Sequence, residues 1–211
     1  MTLATMREAV KDRLAIRSDG SGNSLDGLIT NTFVDTSLNN ALKRVCIERN
    51  WWWNQTSASV TFAATTGLAS LPTGFMHAID LTIDGNSVEP IDLDTYNNAD
   101  AQNSGYGWLI FGSNVRISPA PTAAVTGTLY YVKAEPTLTT DASVPIMPDV
   151  YTGILVAYAC HLCAARRQDE ARAALYLQEY GNFLKSFSDE NRASVKRRIK
   201  YTRTRDFATW D

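Results

Sequence analysis

Apolar residues recur every three or four positions near the N-terminus, which is the spacing of one helix face. Glycines and polar residues at positions 18–23 interrupt this pattern. The pattern therefore predicts a first helix over the opening residues and a second over about 25–49. The two apolar faces consist of Leu3, Met6, Val10 and Leu14 in the first helix, and Val34, Leu38, Ala41, Leu42, Val45 and Cys46 in the second.

In the middle of the chain apolar residues fall at every second position, as in half-buried strands. The clearest run, 76–83, is followed by Asp84-Gly85, a pair typical of a two-residue hairpin turn. Asp92 or Asp94 is placed to cap a short helix within 93–102. Further strands are predicted at 60–62, 87–91, 108–111, 115–118 and 126–133. Together these segments predict a small antiparallel β-module of five to seven strands.

The helical period returns after Asp149. One helix there is apolar on two sides, which is typical of a central helix, and Asp169 is placed to cap the next one. The predicted fold is therefore α+β: a helical bundle of N-terminal and C-terminal helices, an inserted β-module and an extended C-terminal tail. The predicted boundaries are 1–54 with 146–190 for the bundle, 55–145 for the β-module and 191–211 for the tail.

Composition limits the classes of protein. The 211 residues are 45% hydrophobic and 20% charged, so a packed core is expected. Because there is no uncharged apolar run of about 18 residues, no membrane span is expected, and the N-terminus lacks the apolar run of a secretory signal. Three cysteines are an odd and sparse set, which indicates a reducing compartment without a disulfide framework.

The sequence offers little for catalysis, and we predict no catalytic residue, no metal and no cofactor. Cys160-His161-Leu162-Cys163 has the spacing of a CxxC motif, but it lies inside an apolar helix rather than at a helix N-terminus. Only Cys46 and His77 remain as further metal ligands of that kind, so the cysteines are interpreted as buried apolar residues. Nucleotide-binding and hydrolase motifs are missing, and two histidines give little general acid–base capacity.

Trp51, Trp52 and Trp53 are consecutive, and neither a helix nor a strand can place all three on one face. Each indole ring buries about 150–250 Å² when it packs. We therefore predict that they pack between modules or between subunits, with one ring at the junction of the two modules and at least one against a neighbouring subunit. The alternative is that a kink brings all three into one core.

The last 21 residues are basic, while the rest of the chain is acidic. Residues 191–211 carry a net charge of +5 within a chain of net charge −2, which indicates an acidic partner surface or a nucleic acid. Aromatic residues between the basic ones favour docking on a protein, although phosphate binding and a solvated extension remain alternatives. The candidate docking residues are Arg192, Lys196, Arg197, Arg198, Lys200, Tyr201, Arg203, Arg205, Phe207 and Trp210.

Five features occur in a recognisable order. They are a helical start that ends at 49–53, Leu71-Pro72 before the strand at 76–83, a hairpin at 108–119 that leads into Pro119-Ala120-Pro121, the strand residues Leu129-Tyr130-Tyr131, and Pro145 to Asp149 before two closing helices. In this order the chain resembles the head-to-tail adaptor proteins of tailed bacteriophages, also called connector or head-completion proteins, including the tubular type of short-tailed phages.

The resemblance implies a structural virion protein of the neck, assembled in the host cytoplasm, and not an enzyme. It implies a ring, usually of twelve copies, that binds the portal protein, extends the DNA channel and presents a platform for tail nozzle or tube proteins. DNA would pass through without specific binding, and residues 191–211 would be the portal-docking arm. The alternatives are a nucleic-acid-binding protein that uses the same basic tail, and another minor tail component.

Overall fold

The computed structural model describes residues 1–16, 23–24, 27–97 and 105–205, with the backbone alone for 191–205. The chain divides into two compact units, one of Met1–Asn54 with Glu135–Asp211 and the other of Gln55–Ala134. We call them the helical unit and the β-unit. The predicted α+β class is confirmed, since the described residues form five α-helices and a seven-stranded sheet.

The helical unit contains four α-helices in its described part. They are α1 (Leu3–Arg13), α2 (Asn31–Glu48), α4 (Gly153–Arg166) and α5 (Glu170–Arg205), and short 3-10 turns lie at Trp52–Asn54 and Asp149–Tyr151. Thr2 and Thr30 cap α1 and α2, because each hydroxyl accepts the amide hydrogen of the residue three positions later. The sequence predicted that α2 begins near residue 25. It begins at Asn31 instead, because Thr30 provides its N-cap.

Helix α4 lies at the centre of the helical unit, as its two apolar sides predicted. It packs against α1, α2 and α5. Its buried residues are Ile154, Leu155, Val156, Ala157, Ala159, Cys160, Cys163 and Ala164. Arg7 on α1 adds a polar link, since its guanidinium forms a two-bonded pair with Asp35 at 2.7 and 2.8 Å and also contacts Asp141 at 2.7 Å.

Helix α5 differs from the prediction. It continues through 36 residues to Arg205, a length of about 54 Å, so the backbone of 191–205 is helical instead of extended. The physical reason is that no glycine or proline follows Gly181, and the residues there are mostly tolerant of a helix. Residues 206–211 lie outside the described part of the chain.

The β-unit is one sheet in the order β1-β7-β3-β4-β5-β6-β2. Its strands are β1 (Gln55–Phe62), β2 (Leu68–Ser70), β3 (Phe75–Ile83), β4 (Asn86–Pro90), β5 (Gly107–Phe111), β6 (Asn114–Ser118) and β7 (Val125–Lys133). The hairpin predicted at Asp84-Gly85 is confirmed, and both residues have positive φ, at 51° and 80°. One face of the sheet forms the core, which includes Val60, Phe62, Leu81, Ile83, Trp108, Val115, Ile117, Leu129 and Tyr131.

Two details of the β-unit depart from the sequence reading. The pair β4–β5 is parallel, with Glu89 opposite Gly107, whereas a fully antiparallel module was predicted. The short helix α3 (Leu93–Asn97), between β4 and β5 in the chain, is capped by Asp92, whose carboxylate accepts the Thr95 amide hydrogen at 2.7 Å. A helix within the connection lets the chain return in the same direction, which is what a parallel pair requires.

Residues 135–145 lie with the helical unit, although the sequence analysis placed them in the β-module. Leu138 is buried in the helical core, and the amide hydrogen of Leu3 is donated to the carbonyl of Ser143 at 2.9 Å. The division of the chain into domains that fold independently stays a prediction.

Candidate functional site

The three consecutive tryptophans take three different environments. A turn of 3-10 helix at Trp52–Asn54 changes the direction of the chain there. Trp51 is fully buried in the helical core and donates its indole hydrogen to the Val45 carbonyl at 2.7 Å. Trp53 is half-buried, and Trp52 is 37% exposed. The kink therefore lets the rings of Trp51 and Trp53 pack together and leaves Trp52 more exposed, whereas a regular helix or strand would point consecutive side chains apart.

The tryptophans begin a ladder of aromatic rings within the helical unit. Trp51 and Trp53 stack with ring centroids 4.7 Å apart, and Trp53 stacks on Tyr151 at 4.9 Å. Tyr151 meets the edge of Phe187 on α5 at 4.6 Å. Such pairs contribute about 0.5–1.5 kcal/mol each beyond the area they bury. The ladder therefore fixes α5 at Phe187, four residues before the predicted arm begins.

Tyr151 and Phe187 were missed by sequence reasoning. They lie about 100 and 136 positions from Trp51, so no local spacing connects them. Burial raises the pKa of the Tyr151 hydroxyl, and the neighbouring Glu190 carboxylate raises it further. Beside Tyr151, Val150 is 73% exposed.

The predicted docking arm lies only partly within the described residues. Arg192, Lys196, Arg197, Arg198, Lys200, Tyr201, Arg203 and Arg205 fall on the helical backbone of α5. Phe207 and Trp210 lie outside the described part of the chain. The arm's role in docking therefore stays a prediction, as does the packing of Trp51, Trp52 and Trp53 between modules or subunits.

The cysteines are buried apolar residues, as interpreted from the sequence. Cys46, Cys160 and Cys163 are free thiols. Burial raises the pKa of Cys160 to about 12 and that of Cys163 to about 11, so both are protonated and unreactive near neutral pH. His161 lies between them but points its Nδ1 towards the Ala173 carbonyl at 2.9 Å.

The described residues contain no candidate metal cluster and no candidate membrane helix. No group of three or more histidine, cysteine or acidic side chains is placed to hold a metal ion in the described ranges. Among the helices the structure describes, none combines the length and apolar character needed to cross a bilayer.

Comparison with known proteins decides the family. A family model described as SU10 adaptor protein matches residues 1–202 of the chain. The chain belongs to the SU10 adaptor protein family. None of the curated proteins compared with it matches. Membership of this family supports a structural role as a phage adaptor and a place in the virion, and it favours a structural over an enzymatic function.

Proposed function

We propose that this SU10-family chain is a head-to-tail adaptor that forms a ring under the phage portal. The ring, of twelve copies, extends the DNA channel and provides a platform for tail nozzle or tube proteins. The observation that carries the proposal is the family match across residues 1–202, which covers both compact units and most of the basic segment. In this proposal the neck is the site of action, and assembly takes place in the host cytoplasm.

The architecture of α5 supports the arm. Its first half packs on the helical core through residues that include Ala173, Tyr180 and Phe187. The same continuous helix then carries the backbone of 191–205, about 22 Å of helix. Because the aromatic ladder holds α5 at Phe187, the helical part of the arm begins from a fixed point. A pre-ordered arm loses less conformational entropy on docking than a disordered one.

The charge distribution is consistent with a channel protein. Residues 191–211 carry +5 and the remainder of the chain carries −7. An acidic body repels a passing polyanion, so DNA would not be held by the channel wall. The basic arm would contact an acidic surface of the portal, and the multiplicity of the ring would strengthen weak individual contacts.

A second candidate function is nucleic-acid binding, favoured by the seven lysine and arginine side chains of residues 191–211. Phosphate contacts of this kind give an affinity that falls steeply with salt. Removal of the arm should therefore abolish portal docking if the chain is a ring-forming adaptor, and DNA binding if it is a nucleic-acid-binding protein.

The experiment uses two variants of the full chain. One ends at Glu190, and the other keeps all residues but replaces the seven basic side chains of 191–211 with glutamine. Each is mixed with the portal protein of the same phage and imaged by electron microscopy, and each is titrated with duplex DNA across a salt series.

The proposal predicts rings on the portal with the wild-type chain and their loss on truncation. If truncation abolishes DNA binding and leaves portal docking unchanged, the nucleic-acid function is favoured instead. The glutamine variant separates charge from the aromatic residues, because it retains Tyr201, Phe207 and Trp210.

A further inference from the structure

Arg116 occupies the face of the β-unit opposite to the core. It lies on β6 between Val115 and Ile117, both of which are fully buried in the core. Side chains alternate along a strand, so Arg116 points to the other face. Its cross-strand partner there is Leu109 on β5. The arginine is thus placed on the outer face of the sheet by the strand register itself.

Two aromatic rings hold the Arg116 guanidinium. Its Cζ atom lies 4.7 Å from the ring centroid of Phe111 and 6.0 Å from that of Tyr96, within the range of cation–π contacts. Phe111 is 49% exposed. Within the described residues Arg116 has no ion pair, and its Nε is buried without a hydrogen-bond partner. We call Tyr96, Phe111 and Arg116 the arginine patch.

Among the described residues no carboxylate pairs with the oriented Arg116 guanidinium, although its unit is acidic. Residues 55–134 contain six carboxylates and only two cations, Arg116 and Lys133. Arginine and aromatic side chains are frequent anchors of protein interfaces, and a planar guanidinium can donate two parallel hydrogen bonds to a carboxylate. Within the described part of the chain the guanidinium donors of Arg116 are therefore available to a carboxylate of a neighbouring copy.

The β-unit also presents an oriented group of opposite charge, a carboxylate, elsewhere on its outer face. Asp80 lies on β3, opposite Tyr130 on β7. Its Oδ1 accepts the amide hydrogen of Leu81 at 2.8 Å and the hydroxyl hydrogen of Ser87 at 2.9 Å. These bonds orient the carboxylate, and in the described residues no cation pairs with it. Ile79 and Tyr130 beside it are 48% and 42% exposed. We call Ile79, Asp80 and Tyr130 the aspartate patch.

We propose that the arginine patch of one copy binds the aspartate patch of the next copy. The charges are opposite, each is already oriented by its own chain, and each is flanked by exposed apolar surface that the contact would cover. The two patches lie on different strands, with β4 between β3 and β5 in the sheet. In the proposed ring the contact is head-to-tail, with Arg116 of each copy against Asp80 of the next, and a head-to-tail contact forms a ring when its rotation closes. The inference rests on the proposed ring and names its contact surface.

The test uses charge reversal on the full chain. Arg116→Glu removes the arginine patch but keeps the aspartate patch, and Asp80→Arg does the reverse. Each single variant is expected to self-associate at least about tenfold more weakly than the wild type in sedimentation equilibrium. A mixture of the two variants is expected to associate again, because the intact patches of each variant can meet. The double variant, with both charges reversed, is expected to recover association as well.

Matched variants control for charge and folding. Lys133→Glu changes the other cation of the β-unit by the same two charges and is expected to leave association unchanged. Asp80→Asn keeps the oxygen that accepts from Leu81 and Ser87, so its folding should be intact while its association weakens. Melting curves confirm that each variant is folded.

Three outcomes would overturn the inference. They are a wild-type chain that stays monomeric up to about 1 mM, single variants that associate as well as the wild type, and an Arg116→Glu variant that loses only affinity for duplex DNA. The proposed function is tested separately on the portal. Rings of both wild-type and variant chains there would reject the patch contact and leave the adaptor function standing. Wild-type association in solution without rings on the portal would reject the adaptor function and leave the patch contact standing.

Discussion

The side chain of Asn39 forms two hydrogen bonds with the backbone of Leu138, 99 residues further along the chain. Its Nδ2 donates to the Leu138 carbonyl at 3.0 Å, and its Oδ1 accepts the Leu138 amide hydrogen at 2.8 Å. Leu138 lies outside any helix or strand, so its backbone groups have no partners from regular secondary structure, and the Asn39 side-chain amide bonds to both of them. Through this pair α2 holds the segment that returns from the β-unit.

We expect Asn39→Ala to lower the free energy of unfolding by about 1–3 kcal/mol, because it leaves both backbone groups of a buried residue without their partner. Urea denaturation measures the change. Asn40→Ala is the matched control, since Asn40 is exposed on the same helix, and its effect should stay within about 0.5 kcal/mol. Equal effects of the two substitutions would contradict the assigned role of Asn39.

The Asn39–Leu138 pair also shows what the sequence could not predict. Six of the seven β-strands and the Asp84-Gly85 turn follow from spacing over a few residues, and they were predicted, whereas the three-residue strand β2 was not. The docking of 135–145 on the helical unit depends on contacts between distant residues, which no local pattern records. The same holds for the site, where three consecutive tryptophans were noticed but their stacking partners Tyr151 and Phe187 were not.

The helix at the end of the chain was misjudged for a different reason. The basic residues of 191–205 were interpreted as an extended tail from their charge, yet charge alone does not oppose a helix. With no glycine or proline after Gly181, a helix that begins on the core can continue through them. The class of partner inferred from composition stays a prediction, and composition did not predict the backbone conformation.

Gly181 offers a test of α5 itself. It is exposed within the helix, and a Cβ added there meets nothing within 4 Å. Gly181→Ala should therefore stabilise the chain by about 0.5–1 kcal/mol, because alanine loses less conformational freedom on entering a helix. Denaturation midpoints measure this gain.

Gly127 provides the contrasting control in the β-unit. A Cβ there would lie 2.8 Å from the Thr82 carbonyl oxygen and 3.3 Å from the Phe62 ring. Gly127→Ala should destabilise the chain, since two backbone segments would have to separate.

A loss of stability on Gly181→Ala would show that α5 makes a contact at this position that the structure does not contain.

Glu135 should make stability depend on pH. Its two oxygens accept the amide hydrogens of Ile146 and Met147, each at 2.9 Å. Burial raises its pKa above the ordinary value of 4.5, although these two bonds partly oppose the shift. Because the folded pKa is the higher one, the stabilising contribution is complete below the ordinary value and is lost as the pH rises through the folded pKa.

The unfolding free energy of the wild type minus that of Glu135→Gln should therefore fall as the pH rises from about 4 to about 7. Urea denaturation at several pH values gives this difference. Asp92→Asn is the control of opposite sign, because the Thr95 amide hydrogen lowers the pKa of Asp92 and its contribution is lost as the pH falls. A difference for Glu135 that rises with pH would contradict the assigned shift.

Substitutions of the tryptophans distinguish an effect on folding stability from an effect on ring assembly. Trp51 is fully buried with its indole hydrogen bonded, so Trp51→Ala should cost about 3–5 kcal/mol of unfolding free energy. Trp52 is 37% exposed, and Trp52→Ala should cost less than about 1 kcal/mol. The sequence predicts that at least one of the three rings packs against a neighbouring subunit. If Trp52 is that ring, its substitution should also reduce ring formation on the portal, at a nearly unchanged melting temperature.

Melting curves measure the loss of folding stability, and electron microscopy of the same preparations measures the loss of ring formation on the portal. Trp53→Ala should fall between the other two in stability, because Trp53 is half-buried and loses its stacking with both Trp51 and Tyr151. Suppose that all three substitutions only lower the melting temperature, and that each folded variant still forms rings. The tryptophan segment would then be a structural element of one chain, and the subunit contact would have to be sought on other surfaces.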